Sequence, residues 1–294
     1  MLSASRLLLV VAAAVSLAQA RGMSPRDVDA LPSKPADVKA SYGPGDLQFG
    51  ELRLPKGDGP FPVAVVIHGG CWVSKFATLQ NTAALADGLR DAGVATWNIE
   101  YRRLDHPGGG WPGTFADVAN ATDHVRDLAK RHPLDLSRVV TIGHSAGGHL
   151  ALWAGARAKL PEGSPLARPD PLPLRAAVAL GGPGDLRGFF EYAARICGSN
   201  VIEALMGGAP SAVGDRYAQG SPVELLPFGV RQVLIVGERD GVMPPAARQA
   251  YASAASKAGD TVEVIEVPGG HFEVIAPTSA AWPTVRDTVL SLVR

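Results

Sequence analysis

The chain has 294 residues, 46% of them apolar and 19% charged, with 28 basic and 28 acidic side chains that cancel. Neutrality without any run of like charges provides no basic stripe for nucleic acid and no cationic face for an anionic membrane. The length suffices for a large core in one or two domains, since α/β folds often run past roughly 200 residues as one unit.

The first twenty residues read as a secretory signal. Arg6 is a short positive start, Leu7 to Leu17 is an apolar run, and Ala18 to Ala20 is an A-x-A cleavage site. A membrane span needs about 20 apolar residues, and this run is too short. The reading predicts cleavage after Ala20, a periplasmic or secreted mature chain, and no membrane association once the signal is removed. Residues 21–40 carry three prolines and little periodicity, so they read as an extended leader. The main domain is then expected over residues 41–294.

Asp46 to Pro55 alternates like an antiparallel edge strand. Continuous apolar runs follow at Pro62–His68, Val94–Tyr101, Val139–His144, Ala176–Gly181, Gln232–Gly237 and Val262–Val267. Such runs predict strands buried on both faces, as in a parallel sheet. Between them lie helical patterns, including one over 114–132 that keeps Phe115, Val118, Ala121, Val125 and Leu128 on one stripe. Strand and helix alternate, so the class is α/β with a mostly parallel, twisted sheet and helices on both faces. The interval of about 50 residues from Gly182 to Val230 breaks that rhythm. It reads as a small helical insertion at the carboxyl edge of the sheet, a candidate lid.

The run "RVVTIGHSAGGHL" puts Ser145 between a strand and a helix, with Gly143 and Gly147 two residues away on either side. A lone G-x-S-x-G in a chain with 34 glycines is a weak signal, because glycines and serines also make ordinary turns. A reactive serine needs a histidine base, a carboxylate to orient that base, and N–H donors for a developing oxyanion. Each has a candidate. Asp240 follows the strand ending at Gly237, with Glu238 as a rival, and His271 lies in the glycine-rich loop after the last strand. Ala146 offers an N–H at a helix start. In "HGGCW" the N–H groups of Gly70 and Cys71 are the further donors, with His68, Gly69 and Trp72 supporting the loop. His68 is expected to brace that loop, and Trp72 either lines an acyl pocket or packs the loop.

The order Ser145, Asp240, His271, together with G-H-S-A-G, H-G-G-C-W, G-E-R-D-G-V-M-P and G-G-H-F, resembles the α/β-hydrolase superfamily across nearly the whole mature chain. The likeness is greatest to small esterases with an H-G-G-x-W loop, such as kynurenine formamidase-like and bacterial feruloyl-esterase-like proteins. Asn98 to Val118 also resembles that branch. The resemblance implies an eight-stranded, mostly parallel fold and hydrolysis of small-molecule esters or activated amides with no metal or coenzyme. Cys71 stands at the variable place of the loop, and the sequence leaves open whether it pairs with Cys197.

Other histidines are weaker candidates. His144 precedes the serine and should point away from it, while His149 lies in the following helix. Their spacing does not suit zinc. His106, His124 and His132 read as surface or loop residues. Glu100 either orients Arg102 or reaches the pocket and is left unassigned. A serine esterase for small or aromatic acyl esters is the first expectation. An amide hydrolase and a non-catalytic binding protein are the alternatives, and the oligomeric state stays open.

Overall fold

Strands rich in Val, Ile and Ala need apolar cover on both faces, and the computed structural model, which describes residues 22–294, provides it. The signal reading of residues 1–20, and Arg21 beyond it, fall outside the described residues. The strands are β1 (Val38–Ser41), β2 (Phe49–Arg53), β3 (Phe61–Ile67), β4 (Ala95–Ile99), β5 (Leu134–His144), β6 (Ala176–Leu180), β7 (Arg231–Gly237) and β8 (Val262–Val267). They form one sheet in the order β1-β2-β4-β3-β5-β6-β7-β8. β1 and β2 pair antiparallel, β2 runs antiparallel to β4, and the remaining pairs are parallel.

Alternation along β3 shows how the two faces are filled. Val63, Val65 and Ile67 join one core with Phe115, Val118, Leu150 and Trp153, while Ala64 and Val66 join another with Leu85, Leu89, Val285 and Val289. The first face is covered by α3 (Gly113–Asp123), α4 (Val125–Ala129) and α5 (Ala146–Ala156), the second by α2 (Ala83–Asp91) and α9 (Trp282–Leu292). Every residue of α5 is buried. It is apolar all round because sheet and insertion enclose it from every side. The helix expected over 114–132 divides at His124, which caps α3 and starts α4. The stripe Phe115, Val118, Ala121, Val125 and Leu128 stays buried through the break.

Two sequence expectations need correction. The stretch 21–40 is not merely an extended leader. Ser24 caps a short helix, α1 (Pro25–Asp29), through a capping box with Asp27, and Val28 is buried in the second core. Its last residues belong to β1, so the sheet begins before residue 41. β1 is an edge strand of four residues with half-exposed alternation, too short to stand out as a hydrophobic run.

Between β6 and β7 lie α6 (Phe190–Cys197), α7 (Val201–Met206) and α8 (Gly214–Gly220). Leu186, Phe189, Ala193, Val201, Leu205, Met206 and Tyr217 of this interval are buried in the first core. The insertion is thus packed onto the domain. Cys197 at its α6 end forms a disulfide with Cys71 in the loop after β3, with Cα atoms 6.1 Å apart and a separation of 126 residues. Because the bridge closes so long a loop, Cys197→Ser should lower unfolding stability by about 2–5 kcal/mol. Denaturant titration checks this: reductant should bring the wild-type midpoint down to the variant's and leave the variant's unchanged.

Candidate active site

The parallel register brings several strand ends level, with Ile67 opposite both Ile99 and Gly143, His144 opposite Leu180, and Gly237 opposite Val267. Loops after β3, β5, β6, β7 and β8 therefore meet at one edge. β3 runs on to β4 on one side and its neighbour β5 runs on to β6 on the other, so the two connections diverge and open a crevice between the carboxyl ends of β3 and β5. The oxyanion-loop and nucleophile candidates lie on either side of that crevice.

Ser145 has φ 52° and ψ −118°, a left-handed backbone that a residue with a side chain rarely adopts. Its N–H donates to the Leu180 carbonyl at 2.8 Å, and its own carbonyl accepts from Gly148 N at 2.8 Å. The neighbours have no room for side chains. A Cβ on Gly143 would collide with the Gly147 carbonyl, and one on Gly147 with the Ile67 and His68 carbonyls. Both glycines flanking the serine are therefore fixed by close backbone approach. A Cβ on Gly69 would stand 3.0 Å from Ser145 Cβ, so the loop after β3 leans directly on the turn.

The structure brings His271 and Asp240 together. His271 Nδ1 donates to Asp240 Oδ2 at 2.9 Å, and Asp240 Oδ1 accepts from Val242 N at 2.7 Å and Met243 N at 3.0 Å. Burial alone would raise the Asp240 carboxyl, but His271 and the two backbone donors outweigh it and hold the group below the ordinary carboxylate range. The ionised acid fixes the proton on Nδ1 and leaves Nε2 as the acceptor. Glu238, the rival acid, is exposed. Gly181 closes the arrangement from below: at φ 61°, a Cβ there would lie 2.9 Å from Asp240 Oδ2 and 3.0 Å from His271 Nδ1. Ser145 and His271 line one cavity of about 220 Å³ with Gly70, Cys71 and His144.

In the loop after β3, Gly70, Cys71 and Trp72 all have positive φ, at 97°, 52° and 56°. Among the described residues no protein acceptor takes the N–H of Gly70, Cys71 or Ala146. All three belong to residues lining the two cavities at Ser145, so unpaired donors and nucleophile candidate share one space.

The loop rests on a buried polar cluster that sequence reading left unassigned. Glu100 Oε1 lies 2.8 Å from His68 Nε2 and accepts from Tyr101 N at 2.9 Å, while Oε2 accepts from Leu79 N at 3.2 Å. Arg103 Nη2 is 3.2 Å from the same carboxylate. His68 Nδ1 faces the Gly69 carbonyl at 2.9 Å, and its ring stacks on Tyr101 at 4.3 Å. Burial alone would raise the Glu100 carboxyl, but His68 and Arg103 outweigh it and keep the group below the ordinary range. Arg102, the partner suggested by sequence, pairs instead with Asp117 at 2.7 Å. Glu100 thus ties both ends of the segment from His68 to Leu79.

His144 departs from expectation. It lines the cavity, packs its ring 4.6 Å from that of His271, and donates from Nε2 to the His271 carbonyl at 2.9 Å. The strand still points it inward because the turn begins only at residue 145. Burial, then the charge of His271, push it down to about 3, so it stays a neutral donor that holds the histidine loop. His149 donates to the Gly220 carbonyl at 2.8 Å and is pushed down to about 4 by burial, which makes it a strut between α5 and the insertion. Among the described residues no group of three or more His, Cys, Asp or Glu is placed to hold a metal ion. Trp72 is 2% exposed, lies edge-on to His149, and has an indole N–H without a partner among the described residues.

Two cavities meet at Ser145. The larger is walled by apolar side chains including Phe76, Ile196, Val242 and Phe272. The smaller, about 20 Å³, lies against Trp72, Ala146, Phe189 and Ala193. Phe76 and Ile196, each 39% exposed, are the exposed large hydrophobic residues of the described chain, and both stand at this mouth. Sequence gave no signal for them, since each looks like any other apolar residue in a loop or helix.

Removing the Glu100 charge while keeping its shape tests the cluster. Glu100→Gln should cost about 3–5 kcal/mol at neutral pH, because Arg103 and His68 lose a buried counter-charge. The Glu100 carboxyl titrates lower in the fold than its ordinary 4.5, so its stabilisation is complete above that pH. It fades as pH falls through the lower folded value. Melting temperatures of the two proteins should converge in acid, and a gap that persists there would contradict the assignment.

The BD-FAE family model matches residues 51–254. The chain is 27% identical over 251 residues to esterase LipC of Mycobacterium tuberculosis, covering 79% of this chain and 58% of that one. It is 28% identical over 136 residues to esterase EstD of Thermotoga maritima, covering 44% of this chain and 32% of that one. It thus spans 58% and 32% of the lengths of these curated relatives. Among solved structures, esterase B from Lactobacillus rhamnosis superposes with a TM-score of 0.75 at 19% identity, over 99% of this chain and 96% of that one. A truncated carbohydrate esterase from gut microbiota gives 0.74 at 22% identity, over 88% and 99%. At these identities the structural likeness speaks for the fold. The chain belongs to the BD-FAE family and has the α/β-hydrolase fold.

Proposed function

We propose that the protein is a serine hydrolase of carboxylic esters in which Ser145 attacks, His271 takes and returns the proton, and Asp240 holds the imidazole. The N–H groups of Gly70, Cys71 and Ala146 receive the negative oxygen of the tetrahedral intermediate. Water activated by His271 then releases the acyl group from Ser145. The observation that carries this reading is one edge holding a positive-φ serine, a histidine bonded to a buried carboxylate, and three unpaired backbone donors. The esterase relatives support it.

The cavities favour one orientation of the ester. The protonated base must deliver its proton to the departing alkoxide, so the alcohol belongs on the His271 side. That side is the apolar cavity of about 220 Å³. The acyl group then points into the cavity of about 20 Å³ beside Trp72, which has room for little more than a water-sized group. The reading is therefore a short acyl group, acetyl in scale, on a larger apolar-faced alcohol. Of the two acyl classes suggested by the sequence, small and aromatic, the geometry favours the small one. α6 walls this side of the site, held to the oxyanion loop by the Cys71–Cys197 bridge. That bridge, which persists in oxidising compartments, supports action of the mature chain outside the cytoplasm.

Kinetics on p-nitrophenyl esters test the roles and the orientation together. Ser145→Ala should lower kcat by about 10⁴–10⁶-fold, and Asp240→Asn by about 10⁴-fold. For the wild type, kcat/KM should be highest for acetate and fall with each added acyl carbon. Unchanged turnover in Ser145→Ala would overturn the mechanism, and a preference for long acyl chains would overturn the orientation. An acetanilide run alongside separates ester from amide hydrolysis.

A further inference from the structure

The segment read from sequence as a leader reaches the rim of the site. Pro25, at the start of α1, lines the same cavity as Ser145 and His271. Three contacts fix it there. Met23 N–H donates to Glu273 Oε1 at 2.9 Å, Asn81 Nδ2 donates to Asp29 Oδ1 at 2.9 Å, and Val28 is buried to 1% exposure in the second core.

Glu273 makes the first contact informative. Its other oxygen accepts from Gly270 N at 3.0 Å, its carbonyl accepts from Ser279 Oγ at 2.6 Å, and the residue is 9% exposed. A Cβ on Gly269 would stand 2.6 Å from Glu273 Cβ, so this carboxylate fits closely under the loop that carries His271. One side chain thus joins the histidine loop to the N-terminal segment. Asn81, which holds the other end of α1, also lines the cavity.

We propose that residues 23–29 form a specificity-determining wall of the leaving-group side of the site, with Pro25 as the contact residue and Glu273 as the positioning residue that clamps the wall to the histidine loop. This rests on the ester-hydrolase reading and its orientation above. The wall limits the breadth of the alcohol and does not reach the acyl cavity, whose lining residues include none from this segment. The ligand it meets is the apolar face of the alcohol, because Phe76, Ile196 and Phe272 complete the same cavity.

The test compares methyl acetate with 1-naphthyl acetate, which share an acyl group and differ in alcohol. Pro25→Trp, made at an exposed helix-start position, should raise KM for 1-naphthyl acetate by about tenfold, the scale of a pocket misfit. The naphthyl-to-methyl ratio of kcat/KM should fall by about the same factor. Arg26→Trp, one residue along and outside the cavity lining, should change neither. Met23→Pro, which deletes the N–H that reaches Glu273, should move the naphthyl-to-methyl ratio of kcat/KM as well, with methyl acetate hydrolysis retained. A ratio unmoved in both Pro25→Trp and Met23→Pro, with melting temperatures equal to wild type, would overturn the wall. Failure of the hydrolase reading would show separately, as methyl acetate turnover in wild type no greater than in Ser145→Ala.

Discussion

The site depends on a backbone turn that the chain would not choose locally. Ser145 sits at φ 52°, a conformation costing on the order of 1–3 kcal/mol for a residue with a side chain. It persists because its surroundings over-determine it. The Leu180 carbonyl of the adjacent strand takes its N–H, and Gly148 caps its carbonyl. Gly143, Gly147, Gly69 and Gly182 let three backbone segments, 143–148, 67–69 and the loop at 182, close around it, each at a place where a Cβ would meet neighbouring backbone. The strained turn leaves Ser145 and the first residue of α5 bordering the same cavity.

Two buried histidine–carboxylate pairs lie near this turn and do different work. Asp240–His271 borders the cavity, where the histidine side chain retains 9% exposure. Glu100–His68 is sealed beneath the loop after β3, with side chains 4% and 0% exposed. The first pair controls the tautomer of a ring facing the cavity. The second holds the backbone that presents N–H donors. Both carboxylates accept backbone N–H groups besides their histidine, so each buried ion is matched by several donors. His144, neutral through burial, links the histidine loop to the end of β5.

Much of this was legible in the sequence because the deciding features are local. Unbroken apolar runs reported strands buried on both faces, and glycines at fixed offsets from Ser145 reported a tight turn. The order of Ser145, Asp240 and His271 followed the strands in chain order, and parallel register carries strand ends to one edge. What stayed hidden depends on distant contacts. Pairing of Cys71 with Cys197 requires the insertion to fold back over the loop after β3. Glu100 resembles any charged residue ending a strand until His68, Leu79 and Arg103 arrive around it. The N-terminal segment carries its signal in a capping box and three scattered apolar residues, Met23, Val28 and Leu31, which is too little periodicity to distinguish a packed helix from a leader. His144 was misread because a strand residue before a sharp turn keeps the strand's direction, and here that direction is the cavity.

The central claim is that the turn, the imidazole and the backbone donors act as one nucleophilic centre. Mass spectrometry of the folded protein after exposure to a fluorophosphonate tests it most directly, since that reagent reacts with serines activated in this way. The account predicts one adduct per chain, on the peptide carrying Ser145, and strongly slowed labelling when His271 is replaced by alanine. Labelling at a different serine, or none in protein that remains folded, would contradict it.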